Sequence, residues 1–564
     1  MPTTTPVTDH SSVDNINNNK QNATTDTHAN PPHYLMWFRR DLRLQDNTAL
    51  TALCEHANSN NAQVSAVFFC TPAQWQSHTT SLVQVDHIIR TLPKLAQSLE
   101  KQLNIPLAVY VCDNFSDCTN TIIEICAAKN MSMVMANYEY EGNEIARDEQ
   151  LTKQLAKNNV EFIRWHDQCI LPPKSITTND GSMYQVFTPF YKKWRHTLDV
   201  STMQAYEAQT VIANDNLNKN LKPFDSTHAS ANMTKEIETL GNTVVEGYQL
   251  RLQQAGIVNI DNTDSDAQLA HARSAYPAGE VAACHRLDQF IAEDITSYDV
   301  SRDVPSLNAT SQLSAYLTIG SISARHCYLQ ATKALDNAAS THANKDSNYS
   351  ENGDNKDINR WISELAWRDF YRHVLVAKPE LIRHYAYNKE LDSRINWSYN
   401  DEDFKAWCSG KTGVPLVDAA MRCLNATGFM HNRLRMVTAM FLTKDLLIDW
   451  RLGERYFMQQ LIDGDFASNN GGWQWSASTG TDAAPYFRIM NPFSQAKSHD
   501  PDGEFIKTWL PELKDVPANI LHSEDKLRAA VTKGGKFSHI NYPAPMVNHK
   551  IARQLAIAAF KGEN

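Results

Sequence analysis

Between His33 and about Asp167 the chain alternates short apolar runs with stretches of helical spacing. "HYLMWF", "VSAVFFC", "LAVYVC", "MSMVMAN" and "EFIRWH" are each six or seven residues long and lack the polar alternation of a half-exposed strand. Between them, Leu82–Leu103 and Thr119–Asn130 place apolar side chains three and four apart. Fully buried strands separated by helices predict a doubly wound, Rossmann-like parallel sheet covered on both faces, an α/β domain over 33–168. Over 169–272 the periodicity weakens and Asn, Thr, Asp and Gln accumulate, which predicts a linker with a few short helices. From Arg273 to about residue 556 helical spacing dominates, an all-α domain. Residues 1–32 read as a disordered tail and 340–357 as a mobile loop.

Composition narrows this picture. The chain has 564 residues and a formal net charge of -10, which excludes a generally basic nucleic-acid coat but leaves room for a local basic groove. Its ten cysteines form no C-x-x-C pair and no metal-ligand spacing, so reduced thiols and a cytoplasmic protein without a bound metal are expected. No apolar run approaches the ~20 residues of a membrane helix, and the N-terminus has neither the basic nor the apolar region of a signal peptide. No G-x-G-x-x-G follows the first strand and no Gly-Lys-Ser/Thr loop occurs, so the usual dinucleotide or ATP site is not expected in the α/β domain. Eight of the twelve tryptophans fall between Trp361 and Trp509, which directs the search for aromatic chemistry to the helical half.

Four segments there combine unlike residue types. In "RWISELAWRDFYRH", Trp361, Glu364, Trp367, Arg368 and Tyr371 fall within a helical arc of about 120°. That mixture offers both stacking faces and hydrogen-bonding groups; a buried Glu–Arg pair in an aromatic core is the plainer alternative. "MHNRLRMVTAMFLTKDLLIDW", 430–450, reads as one amphipathic helix on which Asn432 and Met436 share a face flanked by Arg433 and Arg435. In "TSQLSAYLTIG", Thr310, Ser311 and Ser314 could cap a helix. "DGDFASNNGGWQWSAS" offers the carboxylates Asp463 and Asp465, the amide of Asn469, and glycines that permit close backbone approach. The spacing of a calcium loop is absent.

Taken with "WFRRDLRLQDN", "NYEYEGNEIARD", "LIDGDFASNNGGWQWSASTGTDAAPYFRIMNP" and "YPAPMVNHKIAR", these segments resemble the DNA photolyase/cryptochrome family, most closely its bacterial class I cyclobutane pyrimidine dimer photolyases. The tail, the 200–270 stretch and the 340–357 loop lie outside the resemblance. It implies an α/β domain joined to a helical domain that holds FAD, and light-driven repair of pyrimidine dimers in DNA by electron transfer from reduced anionic FAD. The implied FAD residues are Tyr298, Thr310, Ser311, Gln312, Leu313, Ser314, Trp361, Arg368, Asp463, Gly464, Asp465 and Asn469. Gln312 departs from the family, which usually has Arg there. The implied DNA contacts are Arg302, Glu364, Trp367, Tyr371, Asn432, Arg433, Met436, Trp475 and Gln495, with Glu364, Asn432 and Asn469 closest to the chemistry. Flipping a damaged step costs least in stacking energy, and the tryptophans can stack on the extruded bases.

Trp397, Trp450 and Trp473 match the family's electron relay. His78, Asn143 and Glu144 match a methenyltetrahydrofolate antenna site, although Ile382 and Arg383 stand where the family has Cys-Lys; a deazaflavin antenna or none stays open. The resemblance further implies a monomer acting on double- or single-stranded DNA. A (6-4) enzyme would carry two histidines at Asn432 and Met436. A cryptochrome, a light sensor without repair, often has a C-terminal extension, whereas this chain ends soon after its last motif. An ordinary flavin oxidoreductase would need a nicotinamide site, and none is visible.

Overall fold

The computed structural model describes residues 31–198, 203, 205–216, 230–256, 263–342 and 353–563. The expected N-terminal tail up to residue 30 and the middle of the 340–357 loop lie outside these residues. All five expected strands form: β1 (His33–Trp37), β2 (Gln63–Cys70), β3 (Leu107–Val111), β4 (Met131–Asn137) and β5 (Glu161–Trp165). They pair in parallel, β1 in register from His33↔Gln63 to Trp37↔Val67 against β2 and beside β4 on its other edge. The order β5-β4-β1-β2-β3 places the first strand at the centre. The chain winds outward to β3, then returns to β4, so a crevice opens beyond the carboxyl ends of β1 and β4. A sixth strand, β6 (Ser230–Ala231), adds antiparallel to β3; two residues are too short for any alternation to reveal them.

The 169–272 stretch is more ordered than a linker of short helices. It carries a helix at Phe187–Thr197 and a 21-residue helix at Thr234–Gln254. The longer helix lies across the Leu82–Ser98 helix so closely that a Cβ on Gly241 would sit 2.5 Å from Ile89 Cγ2. Weak apolar periodicity hid this helix, because glycine replaces an apolar side chain at its closest contact.

Beyond residue 273 the described chain is helical, apart from an isolated bridge between Ser398 and Ile448. One hydrophobic core runs from the sheet into this region, from Tyr34 and Phe68 through Tyr298 and Leu313 to Trp361 and Phe370. A second core, around Trp407, Trp450 and Trp473, fills the far side. At the joint, Gly320 has φ +74, and a Cβ there would lie 2.1 Å from the Arg40 carbonyl oxygen. Only glycine allows both that conformation and that approach. Arg43 completes the joint by donating to the Gly320 carbonyl at 3.2 Å and pairing with Asp167 at 2.6 Å.

Candidate active site

The Gly353–Ala377 helix forms one wall. Trp361 is buried against Phe290, with ring centroids 5.3 Å apart. Trp367 is half-buried and stacks on Phe187 at 3.7 Å, the planes within 8°, and Tyr371 lies 5.5 Å beyond it. The mixed face expected from the sequence therefore exists, with its outer part open.

A chain of ion pairs crosses the mouth of this wall. Arg302 binds Glu364, which Arg360 also approaches at 3.5 Å. On its other side Arg302 lies 3.7 Å from Asp303, and Asp303 accepts from Arg433 at 2.6 Å. The Tyr298–Ser301 turn and the Asn432–Met440 helix are thus linked to the Glu364 wall through acids and bases already paired. Both helices also pack against Phe466–Ala477. Asn432 is exposed at its helix start, and Arg433 and Met436 are half-buried behind it.

One expectation fails here. Residues 430–450 do not make a continuous helix: Asn432–Met440 passes into a π-helical turn, Phe441–Asp445, and stops. Leu447 turns left-handed with φ +50, and Asp449 caps a new helix, Trp450–Gln460, by accepting from Arg451 N–H at 3.0 Å. The apolar period runs through this break, so periodicity alone concealed it.

The Asp463–Asp465 loop is pinned from the α/β side, where Gln84 donates to the Gly464 carbonyl at 2.9 Å. Asp463 accepts from Arg435 through both oxygens, at 3.0 and 2.8 Å. Asp465 binds Arg372 at 2.6 Å and caps the next helix by accepting from Ser468 N–H at 2.9 Å. Burial alone would raise the Asp465 carboxyl; Arg372 and Arg368 outweigh it and hold the group at about 2. Among the described residues, Arg368 itself bonds only carbonyl oxygens, those of Gln168 and Leu317. Burial, then Arg372, pushes its guanidinium down to about 10, which marks a cation short of negative charge.

The capped helix, Phe466–Ala477, explains the mixture of glycine and tryptophan. A Cβ on Gly471 would fall 2.2 Å from the Tyr371 ring, so glycine lets the two walls close, whereas one on Gly472 would meet nothing within 4 Å. Asn469 donates through Nδ2 to the Glu454 carbonyl at 3.0 Å, which leaves its Oδ1 without a partner among the described residues. Trp473 and Trp475 leave this helix on different faces, the first buried and the second half-buried.

Thr310, Ser311 and Ser314 do not cap a helix as expected. The Ser314–Ile319 helix starts after Leu313 with no side-chain cap, because Gln312 has already turned the chain at φ +49. The three side chains are half-buried, and their hydroxyls bond to no described residue. These unsatisfied hydroxyls, the open face at Gly472, the free Asn469 oxygen and the underneutralised Arg368 fit a polar, anionic ligand with a heterocyclic edge.

Trp397 and Trp450 donate to the same oxygen, Asp392 Oδ1, at 3.1 and 3.2 Å. Trp473 is wedged over the Trp450 helix at Gly453 and has no partner for its indole N–H. The three expected relay tryptophans thus lie along one side of the second core.

In the crevice at β1 and β4, a cavity of about 100 Å³ is lined by Trp37, Phe69, Trp75, His78, Phe115 and Glu144. His78 Nε2 takes hydrogen bonds from Asn143 Nδ2 at 2.9 Å and Gln74 Nε2 at 2.7 Å. Burial lowers the His78 imidazole to about 4; burial, then Glu141, raises the Glu144 carboxyl to about 8. Both shifts favour the uncharged form, and the two groups lie 3.5 Å apart. Ile382 meets this site from the helical half, its Cδ1 2.8 Å from where a Gly142 Cβ would be. Arg383 is exposed and is not drawn into the site, and Gln495 sits half-buried on Pro492–His499 with an unpartnered Oε1. Sequence reasoning named Arg435 only as a flank of the Asn432 face, not as the partner of Asp463, and passed over Arg372, Asp303 and Asp392. Of these three, Arg372 carried a signal, four residues after Arg368 on the same helix face.

A nucleotide-type sheet joined to a helical cradle of aromatic faces, paired aspartates and spare arginine charge is built to hold a large, anionic, aromatic ligand. Residues 361–562 match the profile described as "FAD binding domain of DNA photolyase", and residues 34–213 match that described as "DNA photolyase". The chain belongs to the DNA photolyase family. It is 39% identical to "Deoxyribodipyrimidine photo-lyase" of Escherichia coli, over 94% of this chain and 98% of that one. Among solved structures it is similar to a bacterial class III photolyase from Agrobacterium tumefaciens (TM-score 0.74, 29% identity, 96% of this chain and 99% of that one). An archaeal photolyase from Sulfolobus tokodaii with two FAD molecules, one implicated as a light-harvesting cofactor, gives 0.69 at 28%, over 94% and 99%. A cryptochrome from Synechocystis gives 0.71 at 26%, with the same coverage.

Proposed function

We propose that this chain is a deoxyribodipyrimidine photo-lyase that repairs cyclobutane pyrimidine dimers in DNA as a cytoplasmic monomer. Residues 33–168 form the antenna domain and 273–556 the catalytic domain. The observation that carries the reading is the mouth of the cradle. There, Arg302 and Arg433 are held on Asp303 and Glu364 beside the half-buried Trp367, one face of which is backed by Phe187. Phosphates can take the arginines from these acids, and an extruded dinucleotide can stack on Trp367 and Trp475. Asn432, exposed at its helix start, is placed to read a base edge, and Met436 supplies apolar surface behind it.

The FAD cradle would consist of Tyr298, the 310–314 loop, Trp361, Arg368, Asp463, Gly464, Asp465 and Asn469. Bound there in its reduced anionic form, FAD would supply a light-driven electron donor for a reaction without net redox change. Arg368 would offset its anionic charge, and the Asn469 Oδ1, held by the Nδ2 bond to Glu454, would offer an acceptor to it. A protonated Glu364 donating to a dimer carbonyl would stabilise the negative charge that develops there. Its carboxyl group would be freed for that contact when phosphate draws Arg302 away. Trp473, Trp450 and Trp397 form the route by which oxidised cofactor is reduced in light.

The β1/β4 cavity would hold the antenna. Trp37, Phe69 and Trp75 line the cavity with aromatic surface, and His78, Asn143 and Glu144 bring hydrogen-bonding groups to its edge, which suits the heterocyclic edge of methenyltetrahydrofolate. The test is illumination of purified, reduced protein with an oligonucleotide bearing one thymine dimer, beside a dark control. Light-dependent restoration of the two thymines is expected. Dimer left intact would remove the repair reading in favour of a light sensor.

A further inference from the structure

The position where the family usually carries Arg is Gln312 in this chain, yet the positive charge has not been lost. Arg286, on the Glu280–Glu293 helix, reaches across and donates from Nη1 to Gln312 Oε1 at 2.8 Å. Nη2 is held by the Ala275 carbonyl at 2.7 Å, and the guanidinium carbon lies 5.7 Å from the centre of the Tyr276 ring. Gln312 is fixed in turn. It sits at φ +49 and donates to Asn308, which aims its Oε1 at the arginine. Among the described residues, no carboxylate pairs with Arg286. A guanidinium has five N–H donors; the two carbonyl-type contacts use two of them and the Tyr316 hydroxyl takes up another. A half-buried cation with donors to spare thus stands against a loop of unsatisfied hydroxyls at Thr310, Ser311 and Ser314.

We infer that Arg286, presented by Gln312, supplies the diphosphate-binding cation of the FAD site. Here the charge comes from a neighbouring helix instead of from the loop. The inference rests on the FAD reading above. A guanidinium matches phosphate oxygens in pairs and remains charged at any working pH. Gln312 acts as a positioning residue and Arg286 as the binding residue.

The experiment compares two flavins on the full-length protein after its bound flavin has been removed. FAD carries the diphosphate; riboflavin carries the same ring without it. Fluorescence titrations give both dissociation constants for the parent, Arg286→Gln, Arg286→Lys, and the exchange Arg286→Gln with Gln312→Arg. Loss of one charge-assisted hydrogen bond to phosphate should weaken FAD binding by about tenfold or more and leave riboflavin binding within about twofold. Lysine should rescue part of the loss and the exchange most of it, and only the charged forms should show a steep salt dependence for FAD. Equal weakening of both flavins, or no change in either, would overturn the inference and leave Arg286 as a structural brace. If the parent itself failed to take up FAD, the cradle reading would fail instead, so the two failures are distinguishable.

Discussion

The place where Trp473 meets Gly453 gives a demanding test of the second core. A Cβ at Gly453 would lie 2.1 Å from Trp473 Cη2, 2.5 Å from Cζ3 and 2.7 Å from Leu442 Cδ2. Carbon atoms in contact normally stay about 3.5–4.0 Å apart, so Gly453→Ala requires the indole to move by more than 1 Å. It has nowhere to go: Phe457 lies edge-on at 4.9 Å, Trp407 at 6.0 Å, and the ring is almost wholly buried. Overpacking of this kind costs roughly 1–3 kcal/mol, and this overlap belongs at the upper end. Replacing glycine inside a helix returns about 1 kcal/mol. A net destabilisation of about 2 kcal/mol should appear as a melting temperature several degrees lower. The same displacement should slow light-driven reduction of oxidised flavin severalfold while sparing repair by protein reduced beforehand, because only the former uses the relay. Gly247→Ala is the control, since its Cβ would meet nothing within 4 Å; it should be neutral or stabilising. A Gly453→Ala protein that melts with the parent would refute the packing argument. One that melts lower but photoreduces at the parent rate would take Trp473 out of the relay.

Three further outcomes follow from the site. Glu364→Ala should lower repair per absorbed photon severalfold while dimer binding stays close to the parent's or tightens, since Arg302 loses a competing carboxylate; equal repair per photon would end the proposed role. Asp465→Asn leaves Arg372 buried without its partner and should cost about 3 kcal/mol at neutral pH. Because the Asp465 carboxyl is held down at about 2, its contribution is present above the usual range near 4 and fades as pH falls toward 2. The gap between parent and variant in denaturant melts should therefore close across that window, and a constant gap would contradict the assignment. Glu144 has the opposite sign: its folded-state value is raised to about 8, so its contribution declines as pH rises from about 4 to about 8. Glu144→Gln should gain on the parent between pH 5 and pH 8 in urea melts, and parallel stabilities would show that the carboxyl titrates normally.

The inner strands were legible because burial on both faces leaves a short, unbroken apolar run, as in β1 and β2; β5, at the sheet edge, is only half-buried and was found by its place in the alternation of strands and helices. The mixed face of Trp361, Glu364 and Trp367 was legible because three- and four-residue spacing survives in any helix. The break at Leu447 was not, since a left-handed residue between two caps leaves the apolar period nearly intact. The Thr234–Gln254 helix was obscured by the glycine that lets it approach Ile89. The ion pairs of the cradle were invisible for a different reason. Arg302, Asp303, Glu364 and Arg433 span 131 positions of the chain, and only the folded helices make them neighbours. Arg286 is the extreme case: a single arginine in an unremarkable helix, given meaning by a glutamine 26 positions later.

The carboxylate of Asp392 serves the N–H groups of both Trp397 and Trp450, while Arg451 binds its other oxygen at 2.6 Å and lies 4.6 Å from the Trp450 ring centre. Arg451 is itself paired with Asp449 at 3.1 Å, so the cation beside Trp450 stands between two acids. In the proposed relay, the shared acid would lock the two outer indoles to one another, so that a single change at Asp392 would disturb both ends of the last hop together.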